Sequence, residues 1–327
     1  MITQVINSRS PETLYIQYMI GNLCNYKCTY CFPGSNEGDY PWPDVELVIK
    51  NLDHLINIYK QQGKTKFEFY ILGGEPTIWK DLPLLCKHLK ENHNTVIRIS
   101  TNGSRSVNWW SRNIEYFDSI EISVHHEFCK VEHIRAVGDL IYNKNTKVVG
   151  NVLMDPANFS GCQTIIEELK ASNNEWPIIS KVVHFNGEVR YSDREKEYFL
   201  DPIKRWPNMD WWHSLPNHEH NEVWVIDNNE KKLVEENWFA LNDKNRFKGW
   251  SCNLGVDYFE IYQDGTIRGT CQQSVYNTLT KYSVYDINFI DKFIPNIQPV
   301  ICGKEQCMCA GETTIDKKVI PIQLAQQ

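Results

Sequence analysis

Between residues 13 and 186 the hydrophobic pattern alternates between two periods. Apolar, β-rich runs at 14–20, 67–72, 95–100, 119–124, 147–154 and 178–185 suit strands. Between them lie stretches whose apolar residues recur every three to four positions, as on one face of a helix. In the first of these, Val48, Leu52, Leu55, Ile56 and Tyr59 share a face, Asp44 is placed to cap the start, and Gly63 stands just past the end. Further helices are expected at 82–90, 107–116, 131–141 and 162–171. Six strands alternating with helices predict an α/β fold with a parallel sheet and right-handed crossovers. Six units are too few for a closed eightfold barrel, so an open, partial (βα)6 TIM-like barrel is expected. Ligands in such sheets sit at the carboxyl ends of the strands.

The rest of the chain differs. Residues 187–250 are rich in Trp, Asn and charge, and are expected to form a bridging region after a barrel over 1–186. Residues 251–327 hold a hairpin-like stretch, with Asp264-Gly265 as its turn, and five cysteines. With 42% apolar residues, the 327-residue chain can bury a full core. No apolar run reaches the roughly 18 residues of a membrane span. The first nine residues lack the pattern of a secretory signal. Net charge is −7 without a long basic run, which argues against a nucleic-acid partner. A cytoplasmic protein with neither a membrane nor a nucleic-acid partner is expected.

Eleven cysteines then need a reason, and most stand in two groups. Cys86, Cys129 and Cys162 are isolated and fit small core residues. The first group, Cys24, Cys28 and Cys31, is spaced C-x3-C-x2-C directly after the first strand. Three thiolates on one loop can bind three irons of a cubane and leave the fourth iron open. A structural zinc site would want a fourth protein ligand nearby, and zinc or a disulfide is the alternative. Three more motifs end later strands. Gly73-Gly74-Glu75-Pro76 offers close backbone approach and a carboxylate for a cationic amine. Ser100-Thr101-Asn102-Gly103 offers hydroxyl and amide groups that suit ribose hydroxyls. Ser123 is followed, after Val124, by His125, His126 and Glu127, which can bind substrate or move protons as catalytic groups. Asn151 and His184 are expected to point into the barrel.

Together these motifs resemble the radical S-adenosylmethionine (radical SAM) superfamily. The resemblance covers about residues 13–186. It implies a [4Fe–4S] cluster on Cys24, Cys28 and Cys31, whose open iron chelates S-adenosylmethionine. It further implies that Tyr30 lies near the adenine, that Gly73, Gly74, Glu75 and Pro76 hold the methionyl ammonium, and that Ser100, Asn102 and Ser123 contact the cofactor. From its place on the fifth strand, Asn151 is expected as a further cofactor contact. At the fourth strand the sequence departs from the family's Ser-x-Asp-Gly: His125 replaces the aspartate. The implied reaction begins with reductive cleavage to a 5′-deoxyadenosyl radical, which takes a hydrogen atom from substrate.

The second group is Cys252, Cys271, Cys302, Cys307 and Cys309. It resembles the SPASM/twitch appendages of radical SAM enzymes, and five cysteines suit the shorter twitch form with one auxiliary [4Fe–4S] cluster. The spacing C-x12-G-x5-C is one residue longer than theirs, and structural zinc is the alternative. The substrate is expected to be a small polar molecule, sugar- or aminocyclitol-like, giving oxidation, epimerisation or rearrangement. Only 23 residues precede Cys24, which speaks against a terminal peptide-recognition domain. Modification of a peptide side chain is the alternative, and a non-catalytic iron–sulfur or zinc scaffold is a second. A low-potential electron donor such as flavodoxin or ferredoxin is the implied partner. The Trp-rich stretch from Trp206 to Trp224, with Trp238 and Trp250, is expected to pack in a core or, failing that, to stack on a sugar.

Overall fold

The computed structural model describes residues 2–171, 176–183, 189–200, 222–268, 282–295, 298–303, 305–307 and 313–320. A short strand, β1 (Ile2–Ile6), precedes the predicted alternation: β2 (Thr13–Ile20), α1 (Val45–Gln61), β3 (Lys66–Gly73), α2 (Leu82–Asn92), β4 (Thr95–Thr101), α3 (Val107–Asn113), β5 (Ser119–Val124), α4 (Val131–Asn143), β6 (Lys147–Met154), α5 (Phe159–Lys170) and β7 (Ile178–Val182). Strands β2 to β7 pair in that order, all parallel. Local signals explain the boundaries. The Asp44 carboxylate accepts the Leu47 N–H at 2.9 Å and starts α1. Gly63, at φ +90°, takes the left-handed turn that ends it.

The two faces of each strand have different work. Ile16, Tyr18, Phe69, Ile71, Ile97, Ile99, Ile120 and Ile122 pack outward with Leu52, Ile56, Leu85, Ile134 and Val137 of the covering helices. The alternate residues meet one another inside the curved sheet, and they are polar. Glu121 on β5 accepts hydrogen bonds from Arg98 (2.8 Å), Tyr70 (3.0 Å) and Asn151 (3.1 Å), on β4, β3 and β6. Above this layer, towards the carboxyl ends, the Ser100 and Ser123 hydroxyls stand 3.2 Å apart.

After β7 the chain adds β8 (Glu222–Asp227), β9 (Glu230–Glu235), β10 (Ser251–Cys252), β11 (Tyr258–Ile261), β12 (Ile267–Arg268), β13 (Val300–Ile301) and β14 (Lys317–Lys318). The expected hairpin is β11–β12, with Gly265 at φ +75° in its turn. It does more than the sequence suggested: β11 also pairs in parallel with β2, Tyr258 beside Tyr15 and Ile261 beside Tyr18. A seventh parallel strand thus extends the barrel sheet, and Gln17 donates to Glu260 across this join at 3.0 Å. A second sheet runs β13-β10-β14-β1-β8-β9. It joins strands from all three stretches that composition separates. Trp238 and Trp250, partly buried, pack against its core, which includes Phe239 and Phe247; 201–221 lie outside the described residues. No helix among the described residues is long and apolar enough to cross a membrane.

Candidate active site

The loop after β2 is pinned by its neighbours. Asn22, fully buried, donates to the Gly34 carbonyl and accepts the Tyr40 N–H, closing the loop around residues 22–40. The Gly73-Gly74 turn presses against the loop's start: Glu75 N–H donates to the Leu23 carbonyl at 2.9 Å. A Cβ on Gly74 would sit 2.3 Å from the Leu23 oxygen, so only glycine lets the two backbones lie so close. The Asn102 amide donates to Asn25 at 2.9 Å and lies 3.8 Å from the Cys24 sulfur.

These contacts bring Cys24, Cys28 and Cys31 to one cavity of about 170 Å³. Gly73, Gly74, Ser100, Asn102, Ser123 and His125 form the opposing walls. Every one of these was singled out in the sequence. Thr101 also lines it, inside the third-strand motif though not chosen there as a contact; sequence reasoning missed Leu72, which adjoins a motif, and Tyr26, Ser35 and Asn36, which carry no pattern of their own. Burial pushes the Cys28 thiol up to about 12 and the Cys31 thiol to about 11, and raises Cys24 as well. Such thiols stay protonated at neutral pH until a metal displaces the proton.

Several expected site residues stand elsewhere. Glu75 is fully buried and turned away from the cavity. Its carboxylate accepts from Thr77 N–H (3.0 Å), Thr77 Oγ1 (2.5 Å), Thr101 Oγ1 (2.7 Å) and Asn102 N–H (2.6 Å). Burial raises its carboxyl, and those hydrogen bonds oppose the rise. The carboxylate thus ties the Gly73-Gly74 turn to the turn at Thr101-Asn102-Gly103. Pro76 is buried at the start of a short 3₁₀ turn. Asn151 points into the barrel as expected, but its donor goes to Glu121, below the cavity. Tyr30 is buried beside Cys28 and Val183. His126 and Glu127 do not line the cavity either: His126 is bonded to Asp155 at 2.9 Å, and Glu127 accepts from Thr29. His125 lies on the wall, with Nδ1 3.1 Å from the Tyr30 hydroxyl. Burial lowers it to about 4, so it is a neutral imidazole at pH 7.

The donor set fits an iron–sulfur cluster. Three thiols on one loop face a cavity whose other walls are glycine backbone, hydroxyls and an amide, as a polar cofactor would require. Residues 18–139 match the family model described as the Radical SAM superfamily. The chain carries a radical SAM domain. Proteins of that superfamily use a [4Fe–4S] cluster and S-adenosylmethionine. GTP 3',8-cyclase of Pectobacterium atrosepticum is 25% identical over 185 residues, 52% of this chain and 55% of that protein. The Haemophilus influenzae enzyme of the same name is 29% identical over 104 residues, 32% of this chain and 30% of its own length. The chain therefore spans at most about half the length of these curated relatives. Among solved structures, hexahistidine-tagged anSMEcpe with bound AdoMet shares the fold, with a TM-score of 0.50 at 16% identity, over 84% of this chain and 78% of that one.

Of the second cysteine group, Cys252, Cys302 and Cys307 are buried around the second sheet. Cys302 is bonded through its backbone to Trp250, and Cys307 to Asn245. Cys271, Cys309 and His184 lie outside the described residues. Cys86 and Cys162 are core residues, as expected, and Cys129 is half-buried.

Proposed function

We propose that Cys24, Cys28 and Cys31 hold the cluster, that S-adenosylmethionine lies along Gly73-Gly74, Ser100, Asn102 and Ser123, and that the enzyme abstracts hydrogen from a small polar substrate. One observation carries this reading: three thiols from one loop share a cavity with the ends of β3, β4 and β5. When bound, the cluster and S-adenosylmethionine supply a primary alkyl radical able to take hydrogen from an unactivated C–H bond. The chain's part is to orient and to confine. Asn102 fixes the Cys24 side of the loop, and Ser100 and Ser123 offer hydroxyls on the facing wall. Below them the Arg98–Glu121 layer fills the barrel, which favours a compact substrate held near the rim. The relatives' name points the same way, since GTP is itself a small polar molecule. We assign Cys252, Cys302 and Cys307 to an auxiliary cluster, completed from Cys271 and Cys309.

The test is anaerobic reconstitution, strong reductant and measurement of 5′-deoxyadenosine. Wild type is expected to cleave S-adenosylmethionine and Cys28→Ala to lose that activity altogether. Intact, cluster-loaded protein without cleavage would sink the reading. Iron and sulfide near eight per chain support two cubanes; near four, with one zinc, makes the second site structural.

A further inference from the structure

His125, His126 and Glu127 look like titratable groups waiting for a substrate. Their partners say otherwise. Thr29 and Tyr30 are the two residues between Cys28 and Cys31, and all three side chains engage them. Glu127 accepts both the Thr29 N–H (2.8 Å) and its hydroxyl (2.6 Å). The Tyr30 ring stacks on His125 at 5.9 Å and on His126 at 5.5 Å, within about 20° of parallel. Its hydroxyl also meets His125 Nδ1. His126 cannot swing away, because Asp155 holds one ring nitrogen and Asn158 the other, at 2.9 and 3.0 Å.

We propose that His125-His126-Glu127 is a positioning clamp that holds the Cys28–Cys31 segment in its metal-binding shape before any metal arrives. The chain of contacts is continuous. The turn after β6 fixes His126 through Asp155 and Asn158, His126 and His125 fix the Tyr30 ring, and Tyr30 packs against Cys28. Glu127 fixes the backbone between the two cysteines. A free loop must lose conformational entropy when it closes on a metal, and a loop already held has less to lose. The clamp rests on the assignment of the cluster to these cysteines, so its test includes one measurement that needs no cluster.

Glu127 and Thr29 meet at the surface, so their variants are expected to fold, with unchanged circular dichroism. In metal-free protein, amide exchange of the 25–31 segment is expected to quicken about tenfold in Glu127→Ala, the worth of one net hydrogen bond. Glu127→Gln, which keeps one acceptor oxygen, should restore part of the protection. In the loaded enzyme, Glu127→Ala should release iron to a chelator faster by a similar factor. Adding Thr29→Val to Glu127→Ala should change little more, because the same contact is already gone. Unchanged exchange in Glu127→Ala overturns the clamp. Faster exchange with wild-type iron release overturns its role towards the metal. Wild-type iron release with lost 5′-deoxyadenosine formation returns these residues to catalysis. Exchange that responds as expected in a protein that takes up no iron supports the clamp and defeats the cluster assignment instead.

Discussion

His125 shows how much a single residue's surroundings decide. In water an imidazole titrates near neutrality; here burial moves it from 6.5 to about 4. Its folded value lies below the unfolded one, so on acidification the unfolded chain takes up the proton first. Stability is therefore whole above about 6.5 and is lost as pH falls from there towards 4. The expected slope from this group approaches one proton, about 1.4 kcal/mol per pH unit. Urea unfolding of the metal-free protein between pH 8 and 5 measures it. His125→Gln, which cannot titrate, should flatten the acid limb; an identical limb would mean that other groups cause it. The same residue marks what the sequence could convey about the site. Cys24, Cys28 and Cys31, Gly73, Gly74 and Asn102 were legible because their residue type at a strand end limits what they can do. His126 and Glu127 were not, because residue type shows only that they can carry a proton. Their partners Thr29, Asp155 and Asn158 stand 98, 29 and 32 positions away along the chain. Glu75 shows the same limit: its partner Thr77 is two residues on, but Thr101 and Asn102, 26 and 27 positions away, leave no local sign.

At the level of strands, β2 to β7 were legible because their outward faces are apolar and the helices between them keep a clean 3.6-residue period. The inward faces were not, since polar residues inside a parallel sheet give no sign of pairing. Glu121 and Arg98 form the centre of that layer, with side chains only 8% and 6% exposed. An ion pair so placed adds little net stability when whole, yet breaking it is costly, because one charge stays buried without its counterpart. Arg98→Met is expected to destabilise the protein by about 3–5 kcal/mol. Tyr70 and Asn151 would still donate to Glu121, which puts the effect at the lower end. The double variant Arg98→Met with Glu121→Leu should recover a large part of the loss. Denaturant titration of the three proteins tests this. A double variant no better than the single would show that packing, rather than the stranded carboxylate, sets the cost. The Asp264-Gly265 turn was legible for a similar local reason, but the docking of β11 on β2 was not. That pairing joins residues 243 apart, such as Gln17 and Glu260, and no local pattern encodes it.

The whole molecule is tied together by its shortest strands. β10, β13 and β14 have two residues each, too few to show any period, so the second sheet could not be anticipated from sequence. Yet β14 is its seam. Lys317 and Lys318 pair with Val5 and Gln4 of β1 on one side and with Cys252 and Ser251 of β10 on the other. Lys317 is 3% exposed; its ammonium donates to the Thr313 carbonyl at 3.1 Å and lies 4.4 Å from the Phe247 ring. On one side of this seam are β1 and the β8–β9 hairpin, and on the other are the strands that carry or adjoin Cys252 and Cys302. A proline at 317 would remove a backbone donor from a central strand and add a ring where pairing is two-sided. Lys317→Pro should therefore open the cysteine-bearing side while leaving the barrel intact. Cys252 and Cys302, 6% and 5% exposed, are expected to react with a thiol reagent at least about tenfold faster in the metal-free variant, by the relation of opening free energy to exposure. Cys86, fully buried in the barrel core, should keep its wild-type rate. Mass mapping of the labelled peptides separates the cases. Equal acceleration at all three cysteines would mean global unfolding, and none at Cys252 and Cys302 would mean that β10 and β13 hold their cysteines without β14.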